Sequence, residues 1–243
     1  MSRRIGVSNP DCKANCKIIA IHQPNYIPWL GYFYKIYQSD IFVYLDDAQF
    51  SNQGMHNYTY IKTVSGSFRL KYPVYQSLGD KINKVFTKDE LGWKEKHLKI
   101  IESNYRNTHY FNEVFNDYKK LILADYSNIA ELNTAFIDFF AQKLGINAEF
   151  IKASELNINL PKVEKIIAIC NILGGKVYYS GTGAKAYQKE EYFNSFGIEL
   201  RYSLFKPVQY PQLWGGFQSN VSALDFFMNC GYDWNRVLKS QEG

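Results

Sequence analysis

The stretch IIAIHQPNYIPWLGYFYKIYQSDIFVYLDDAQF, residues 18–50, decides the fold. It begins with a short apolar run that ends on His22, and a loop with two prolines follows. Residues 29–37 then predict a helix, and residues 41–45 form a second apolar run that ends on two aspartates. Strand, loop, helix and strand in this order predict one βαβ unit, whose two strands lie parallel in one sheet.

Polar side chains follow both strands of this unit. Since ligands of open α/β sheets bind outside the carboxyl ends of the strands, we predict a catalytic site at this edge. His22 is the candidate general base, and Asp46, at the end of the second strand, is the candidate partner that orients its ring. His56, in the loop that follows, is a second candidate acid or base. The alternative is a structural role for each, as a histidine bonded to a loop carbonyl or an aspartate that caps a loop.

The rest of the sequence predicts an α/β fold with a mostly parallel sheet, flanking helices and an inserted helical cluster at about residues 88–145. Alternation of apolar and polar residues predicts a hairpin in residues 60–74 and a strand at residues 81–86. We predict a flexible extension at residues 1–16 and a single domain at residues 17–243. Further helices are predicted at residues 93–105, 110–123, 129–144, 162–173, 190–196 and 223–229, and further strands at residues 149–151, 177–179 and 199–203.

A glycine-rich segment, Ser180-Gly181-Thr182-Gly183-Ala184, follows one predicted strand and precedes a helix. Exposed backbone N–H groups in such a segment can bind a phosphate or an oxyanion. The nucleotide fingerprint G-x-G-x-x-G is incomplete here, because Ala186 stands where its third glycine would be. The alternative is a tight turn from strand to helix with no ligand.

Composition narrows the class of ligand. The net charge is +5, from 28 basic and 23 acidic residues, and it is spread along the chain. A protein that binds nucleic acid would carry a clearer basic stripe, so we expect none as a partner. The mild excess of positive charge fits a phosphorylated small substrate. The 20 tyrosines and 17 phenylalanines fit either a sugar site with flat aromatic walls or the codon usage of an AT-rich genome.

Nothing in the sequence predicts a membrane span or a metal site. No apolar run approaches the length of about 18 residues that a membrane helix needs, and no apolar core of a signal peptide follows the two N-terminal arginines. We therefore expect a cytoplasmic protein. Cys12 and Cys16 lie close together, but no second pair of zinc ligands is nearby. Two histidines and two aspartates near the first strands are possible ligands of a divalent ion, although their spacing does not require one.

The segment HQPNYIPWLGYFYKI, residues 22–36, resembles the signature of the WbqC-like family, bacterial proteins associated with O-antigen and related surface-polysaccharide gene clusters. Where the family pattern has an arginine after Asn57, this chain has Tyr58, so that a role of this position in anion binding is not expected here. Shorter blocks extend the resemblance over roughly residues 17–239: Asp40-x-Phe42-Val43-x-x-Asp46, Gln49-Phe50, Asn57, Ile61-Lys62, Gly66, Tyr179-Ser180-Gly181-x-Gly183-Ala184-x-x-Tyr187 and Asn220-x-Ser222-x-x-Asp225.

Site chemistry and resemblance together imply a transferase of O-antigen or lipopolysaccharide synthesis, which moves an acyl or aminoacyl group onto the amine of a nucleotide-linked amino sugar. His22 would take the proton of the attacking amine, and the glycine-rich segment or Asn25 would bind the oxyanion. The implied substrate-binding residues are Gln23, Asn25, Tyr26, Trp29, Asn57, Ser180, Gly181, Gly183 and Tyr187.

No bound cofactor is expected, and the candidate acyl donor is acyl-CoA or a thioester on a carrier protein. The expected partners are therefore a nucleotide sugar and, for the second donor, an acyl carrier protein. Two alternatives stay open: a nucleotidyl-transfer or hydrolytic enzyme of the same pathway, and a non-catalytic protein that binds a sugar nucleotide.

Overall fold

The computed structural model describes residues 16–186 and 188–242, and the predicted extension at residues 1–16 lies almost wholly outside them. The strands are β1 (Lys17–His22), β2 (Ile41–Tyr44), β3 (Tyr58–Thr63), β4 (Gly66–Lys71), β5 (Val74–Tyr75), β6 (Phe86–Thr87), β7 (Glu149–Lys152), β8 (Gly175–Gly181) and β9 (Glu199–Ser203). The helices are α1 (Leu30–Tyr37), α2 (Trp93–Tyr105), α3 (Phe111–Leu123), α4 (Ile129–Lys143), α5 (Lys162–Ile172), α6 (Glu190–Asn194), α7 (Ala223–Cys230) and α8 (Trp234–Gln241).

The central sheet has five parallel strands in the order β7-β2-β1-β8-β9. From β1 the chain passes through α1 to β2 and later to β7, always away from β1 in the same direction. It then crosses through α5 to β8, on the other side of β1, and continues through α6 to β9. The winding direction therefore reverses between β1 and β8. The predicted α/β class with a mostly parallel sheet is confirmed.

Alternate side chains of the central strands enter two separate cores. Ile19 and Ile21 pack on one face with residues of α5 and α6, whereas Ala20 packs on the other face with α1. All four residues of β2 are buried. Burial on both faces explains why these strands read as continuous apolar runs rather than as alternating patterns.

Most of the helical cluster joins the larger of these two cores. Residues of α2, α3 and α4 pack there with α7, around rings such as Phe136, Phe140 and Phe227. The hairpin β3–β4 lies outside the central sheet and turns through Gly66, whose φ of 98° favours glycine. Within residues 16–186 and 188–242, no helix is long and apolar enough to cross a membrane.

One local prediction was wrong, and one helix was not predicted. The strand expected at residues 81–86 is mostly a 3₁₀ turn, Ile82–Lys84, followed by the short strand β6. Here Ile82 donates its N–H to the carbonyl of Ala48, and the carbonyl of Val85 accepts from Ile129, so the backbone pairs with loop and helix ends. The helix α8 was not expected, because its sequence is polar on all but a narrow stripe that contains Trp234 and Val237.

Candidate functional site

A cleft of about 810 Å³ lies at the carboxyl ends of β1, β8 and β9, where the winding direction reverses. This is the position at which open α/β sheets bind ligands. Its volume falls within the usual range for small-molecule sites, roughly 300–1,000 Å³. Four stretches form most of its lining: the end of β1, the first turns of α1, the segment after β8, and residues from the end of β9 up to α7. Leu45, after β2, and Ile166, in α5, also line it.

His22 ends β1 and lines the cleft. Its ring lies 4.7 Å from the ring of Tyr32 and meets Trp29 edge-on at 6.0 Å, measured between centroids. Burial lowers the pKa of His22 well below its usual value, and the nearby bases Lys35 and His56 lower it further. Its Nδ1 atom has no hydrogen-bond partner among the described residues. The imidazole is therefore neutral at pH 7 and able to accept a proton.

The segment after β8 forms the facing side of the cleft. Ser180 donates its hydroxyl to Oε1 of Gln188 at 2.7 Å, and both side chains are buried. A Cβ atom built on Gly181 or Gly183 would meet no other atom within 4 Å, and neither residue has a positive φ. At these positions glycine is not needed for the turn. It leaves open the space that a ligand would fill.

The third side of the cleft is an irregular stretch, residues 204–221, which we call the wall segment. It contributes aromatic rings, including Phe205 and Phe217, to the lining. The buried carboxylate of Asp225 fixes this segment, since it accepts hydrogen bonds of 2.8 Å from the Tyr210 hydroxyl and from Nε2 of Gln212. Lys62 holds it from behind by donating to the carbonyl of Gly216 at 2.6 Å. The wall segment is thus anchored although it has no regular secondary structure.

Some predicted site residues do line the cleft, and others do not. The cleft brings together His22, Gln23, Trp29, Ser180, Gly181 and Gly183. It does not include Asn25, Tyr26, Asp46, His56 or Asn57. Tyr187 lies outside the described residues.

The predicted hydrogen bond between Asp46 and His22 is not formed. Asp46 is 2% exposed, and its oxygens accept from the N–H of Ser154 at 3.0 Å, from the Ser154 hydroxyl at 2.6 Å and from Asn83 Nδ2 at 3.0 Å. Its neighbour Asp47 pairs with Lys165. Both carboxylates at the end of β2 are thus occupied by partners from distant segments.

Residues 23–28, which we call the motif loop, fold inward, and this removes Tyr26 and Asn25 from the cleft. Residues 24–28 are all buried. The hydroxyl of Tyr26 contacts Nδ1 of His97 at 3.1 Å and the Tyr118 hydroxyl at 3.2 Å, deep in the core. Ile27 has a φ of 39°, which is unusual for a β-branched residue. Its carbonyl accepts from Thr59 Oγ1 at 3.0 Å and from Ser222 Oγ at 2.8 Å, and these bonds hold the strained conformation.

His56 and Asn57 support the motif loop from behind. The N–H of Tyr26 donates to the carbonyl of Met55, next to His56, at 3.0 Å. Burial lowers the pKa of His56 to about 4, so the ring is neutral. Asn57 donates its amide to the carbonyl of Tyr72 at 2.9 Å. These residues stabilise the fold around the motif rather than line the cleft.

Lys35 is a cleft residue that the sequence analysis missed. It is 4% exposed, and its Nζ donates to the carbonyl of Ile21 at 2.7 Å. Burial lowers the pKa of its amine to about 7. The signal was present in the sequence, because this lysine stands among apolar and aromatic residues in α1. It is the only Asp, Glu, Lys or Arg among the described residues that line the cleft.

Comparisons with known proteins give one family and one relative. The family model described as WbqC-like protein family matches residues 23–237. The uncharacterized protein Rv1507c of Mycobacterium tuberculosis is 30% identical over 219 residues, which cover 88% of this chain and 94% of that protein. No solved structure matches significantly. The family match spans the motif loop, the segment after β8 and the wall segment.

Proposed function

The chain belongs to the WbqC-like protein family, and from this premise and the cleft we propose a transferase that moves an acyl or aminoacyl group onto the amine of a nucleotide-linked amino sugar. We assign the reaction to surface-polysaccharide synthesis, as the resemblance of the motif implies. The observation that carries the proposal is His22, a neutral base in the wall of an open cleft at the switch point of the sheet.

The reaction needs a proton acceptor and a group that stabilises an oxyanion. As the amine nitrogen bonds to the acyl carbon, it must lose a proton, and His22 is the only histidine among the described residues that line the cleft. The acyl carbonyl becomes an oxyanion before the leaving group departs. The backbone of residues 181–184 borders the cleft and is the candidate donor to that oxyanion. Ser180 is not needed as a nucleophile, and its hydroxyl already bonds Gln188.

The walls of the cleft suit a sugar nucleotide. The rings of Trp29, Phe205 and Phe217 line it and provide flat apolar surfaces for a pyranose or a base. Among the described lining residues there is no carboxylate to repel a diphosphate. Acyl-CoA and a carrier-protein thioester both remain candidate donors.

A non-catalytic sugar-nucleotide binding protein is the second candidate. The observation that favours it is the strongly lowered pKa of His22, because a weaker base accepts a proton less readily from an amine. Such a protein would keep the aromatic walls and the space beside Gly183 and would tolerate loss of His22.

A direct assay separates the candidates. Purified protein is incubated with nucleoside-diphosphate amino sugars and CoA thioesters, and N-acylated product is measured by mass spectrometry. We expect His22→Asn to keep the melting temperature and to lower the rate by roughly 10²–10⁴-fold. His109→Asn is the matched control, since His109 is exposed and lies outside the cleft.

The other outcomes point elsewhere. Binding of the nucleotide sugar without any acylated product would favour the binding protein. Release of the nucleotide without acylation would favour nucleotidyl transfer or hydrolysis. A fully active His22→Asn variant would remove this residue from the mechanism.

A further inference from the structure

The amine of Lys35 has unused hydrogen-bonding capacity inside the cleft wall. An ammonium group has three N–H donors. Within the described part of the chain, Lys35 Nζ uses one of them, for the Ile21 carbonyl at 2.7 Å. The side chain is nevertheless 4% exposed and lines the cleft beside His22. The remaining donors have no bonded acceptor among residues 16–186 and 188–242.

Lys35 also has no counter-charge within the part of the chain that the structure describes. The described ion pairs join other lysines to carboxylates, such as Lys165 to Asp47, and none includes Lys35. Buried lysines are rare unless they are paired. Burial is the sole cause found for the lowered pKa of Lys35, with no offset from a carboxylate. The positive charge of Lys35 also lowers the pKa of His22, since two like charges repel each other.

Two carboxylates act on tyrosines that line the cleft, and both already accept hydrogen bonds. Asp138 accepts from the Tyr44 hydroxyl at 2.6 Å, and its charge acts on Tyr32. Asp225 accepts from the hydroxyls of Tyr105 and Tyr210, each at 2.8 Å. The other titratable side chains that line the cleft are tyrosines, Tyr32, Tyr178 and Tyr210. Two bases without a carboxylate partner therefore meet in one wall, and this pattern suits an anionic ligand.

We propose that Lys35 is the anion-binding residue of the cleft and that it gains a proton as a diphosphate group docks beside it. This assignment deepens the proposed function, since it names the part of the nucleotide sugar that Lys35 holds. A phosphate within a few ångströms supplies the missing negative charge and favours the ammonium form. Since linkage is reciprocal, the diphosphate binds more tightly when Lys35 is protonated.

Lys62 shows what a purely structural buried lysine looks like in this protein. It is 2% exposed and donates to the carbonyls of Gly215 and Gly216 at 3.4 and 2.6 Å. Unlike Lys35, it does not line the cleft, and its charge acts on Asp225. Because Lys62 anchors the wall segment, its loss would also disturb the cleft. The matched control for Lys35→Met is therefore Lys94→Met, since Lys94 is 14% exposed, pairs with Asp89 at 3.0 Å and lies outside the cleft.

The test is isothermal titration of the full chain with UDP at pH 8, in buffers of different ionisation enthalpy. At this pH the terminal phosphate of UDP is ionised, and Lys35 with a pKa of about 7 is mostly neutral. We expect the wild type to take up most of one proton per UDP bound. Lys35→Met should bind at least tenfold more weakly without that uptake, whereas Lys35→Arg, which is always charged, should bind UDP without uptake. Lys94→Met should keep both properties.

Three results would overturn the assignment: no binding of UDP by the wild type, binding by the wild type without proton uptake, or unchanged binding by a folded Lys35→Met variant. The wild-type uptake needs no variant, so a misfolded Lys35→Met leaves the proposal falsifiable. Failure of the acyl-transfer assay with UDP still bound and a proton taken up would refute the transferase and not the anion site.

Discussion

The two neighbours of β1 in the sheet end very differently. At the closed end, beside β2, Asp46 is saturated by Ser154 and Asn83, and Asp47 pairs with Lys165. At the open end, beside β8, a cleft of about 810 Å³ is lined by no carboxylate of the described residues. Both ends carry polar side chains in the sequence. In this sheet, the polar side chains that line the cleft are those at the strand ends where the winding direction reverses.

Acid should destabilise the core around His56 and His97, and this loss of unfolding free energy is the largest effect that we predict. Burial lowers the pKa values of His56 and His97 to about 4, whereas in the unfolded chain they have the ordinary value of about 6.5. The unfolded state therefore binds protons first as the pH falls, and stability present above pH 6.5 is lost between pH 6.5 and 4. Each histidine accounts for roughly 3 kcal/mol of unfolding free energy.

Urea unfolding at pH 7, 5.5 and 4 measures this loss. His97→Gln should lower stability at pH 7 and flatten the pH dependence, because one of the buried histidines with a lowered pKa is gone. His109→Asn, at an exposed position, should leave the dependence as it is. A stability that stays level from pH 7 to 4 would mean that these histidines are accessible to protons in the folded state.

Loss of Asp46 should damage the closed end without reaching the cleft. Asp46→Ala leaves the half-buried donors of Ser154 and Asn83 without their acceptor, so we expect a loss of about 2–4 kcal/mol in unfolding free energy. UDP affinity of the folded variant should stay unchanged. Ser180→Ala, which removes one bond at the open end, should cost about 1 kcal/mol. An Asp46→Ala variant that is stable but inactive would contradict the comparison and place Asp46 in the site.

Two glycine substitutions compare the cleft with the packed interior. A Cβ atom would enter open space at Gly183 and would clash with a buried ring at Gly54. Gly183→Val should lower UDP affinity at least tenfold, about 1.4 kcal/mol, because its side chain enters the cleft, and should change stability by less than about 0.5 kcal/mol. Gly54→Ala should do the opposite, since a Cβ there would lie 2.1 Å from Nε2 of His56. Titration calorimetry and urea unfolding of both variants give the comparison, and equal losses of stability would show that Gly183 serves only a turn.

The smallest predicted effect is the coupling free energy between Asp46 and His22, which the sequence predicted to act as a pair. Since Asp46 and His22 do not bond, the effects of Asp46→Ala and His22→Asn on stability should add within about 0.5 kcal/mol. The same should hold for catalytic rate measured on folded protein. A coupling free energy well above that value would show that Asp46 and His22 act together, as the sequence predicted.

What the sequence could predict depends on how far apart in the chain the interacting residues lie. The βαβ unit, the strand-end position of His22 and the glycines after β8 depend on local patterns, so the sequence predicted them. The fate of Asp46 depends on Ser154, which is 108 positions away, and no local pattern reports that contact. The wall segment was missed because it has no periodicity, although it lines one side of the cleft. The sequence pattern places Lys35 in a motif and does not predict its burial beside His22.

The strained backbone of Ile27, whose carbonyl is held by two distant side chains, has a consequence for how the chain folds. Its two supports, Thr59 and Ser222, are 32 and 195 positions further along the chain. Contacts of such sequence separation form late, since the loop between them must close first. During synthesis the motif loop cannot be completed until residue 222 has left the ribosome. Until then, the apolar strands of the N-terminal part stay exposed. Truncation before α7 should therefore yield an aggregating product rather than a smaller folded domain.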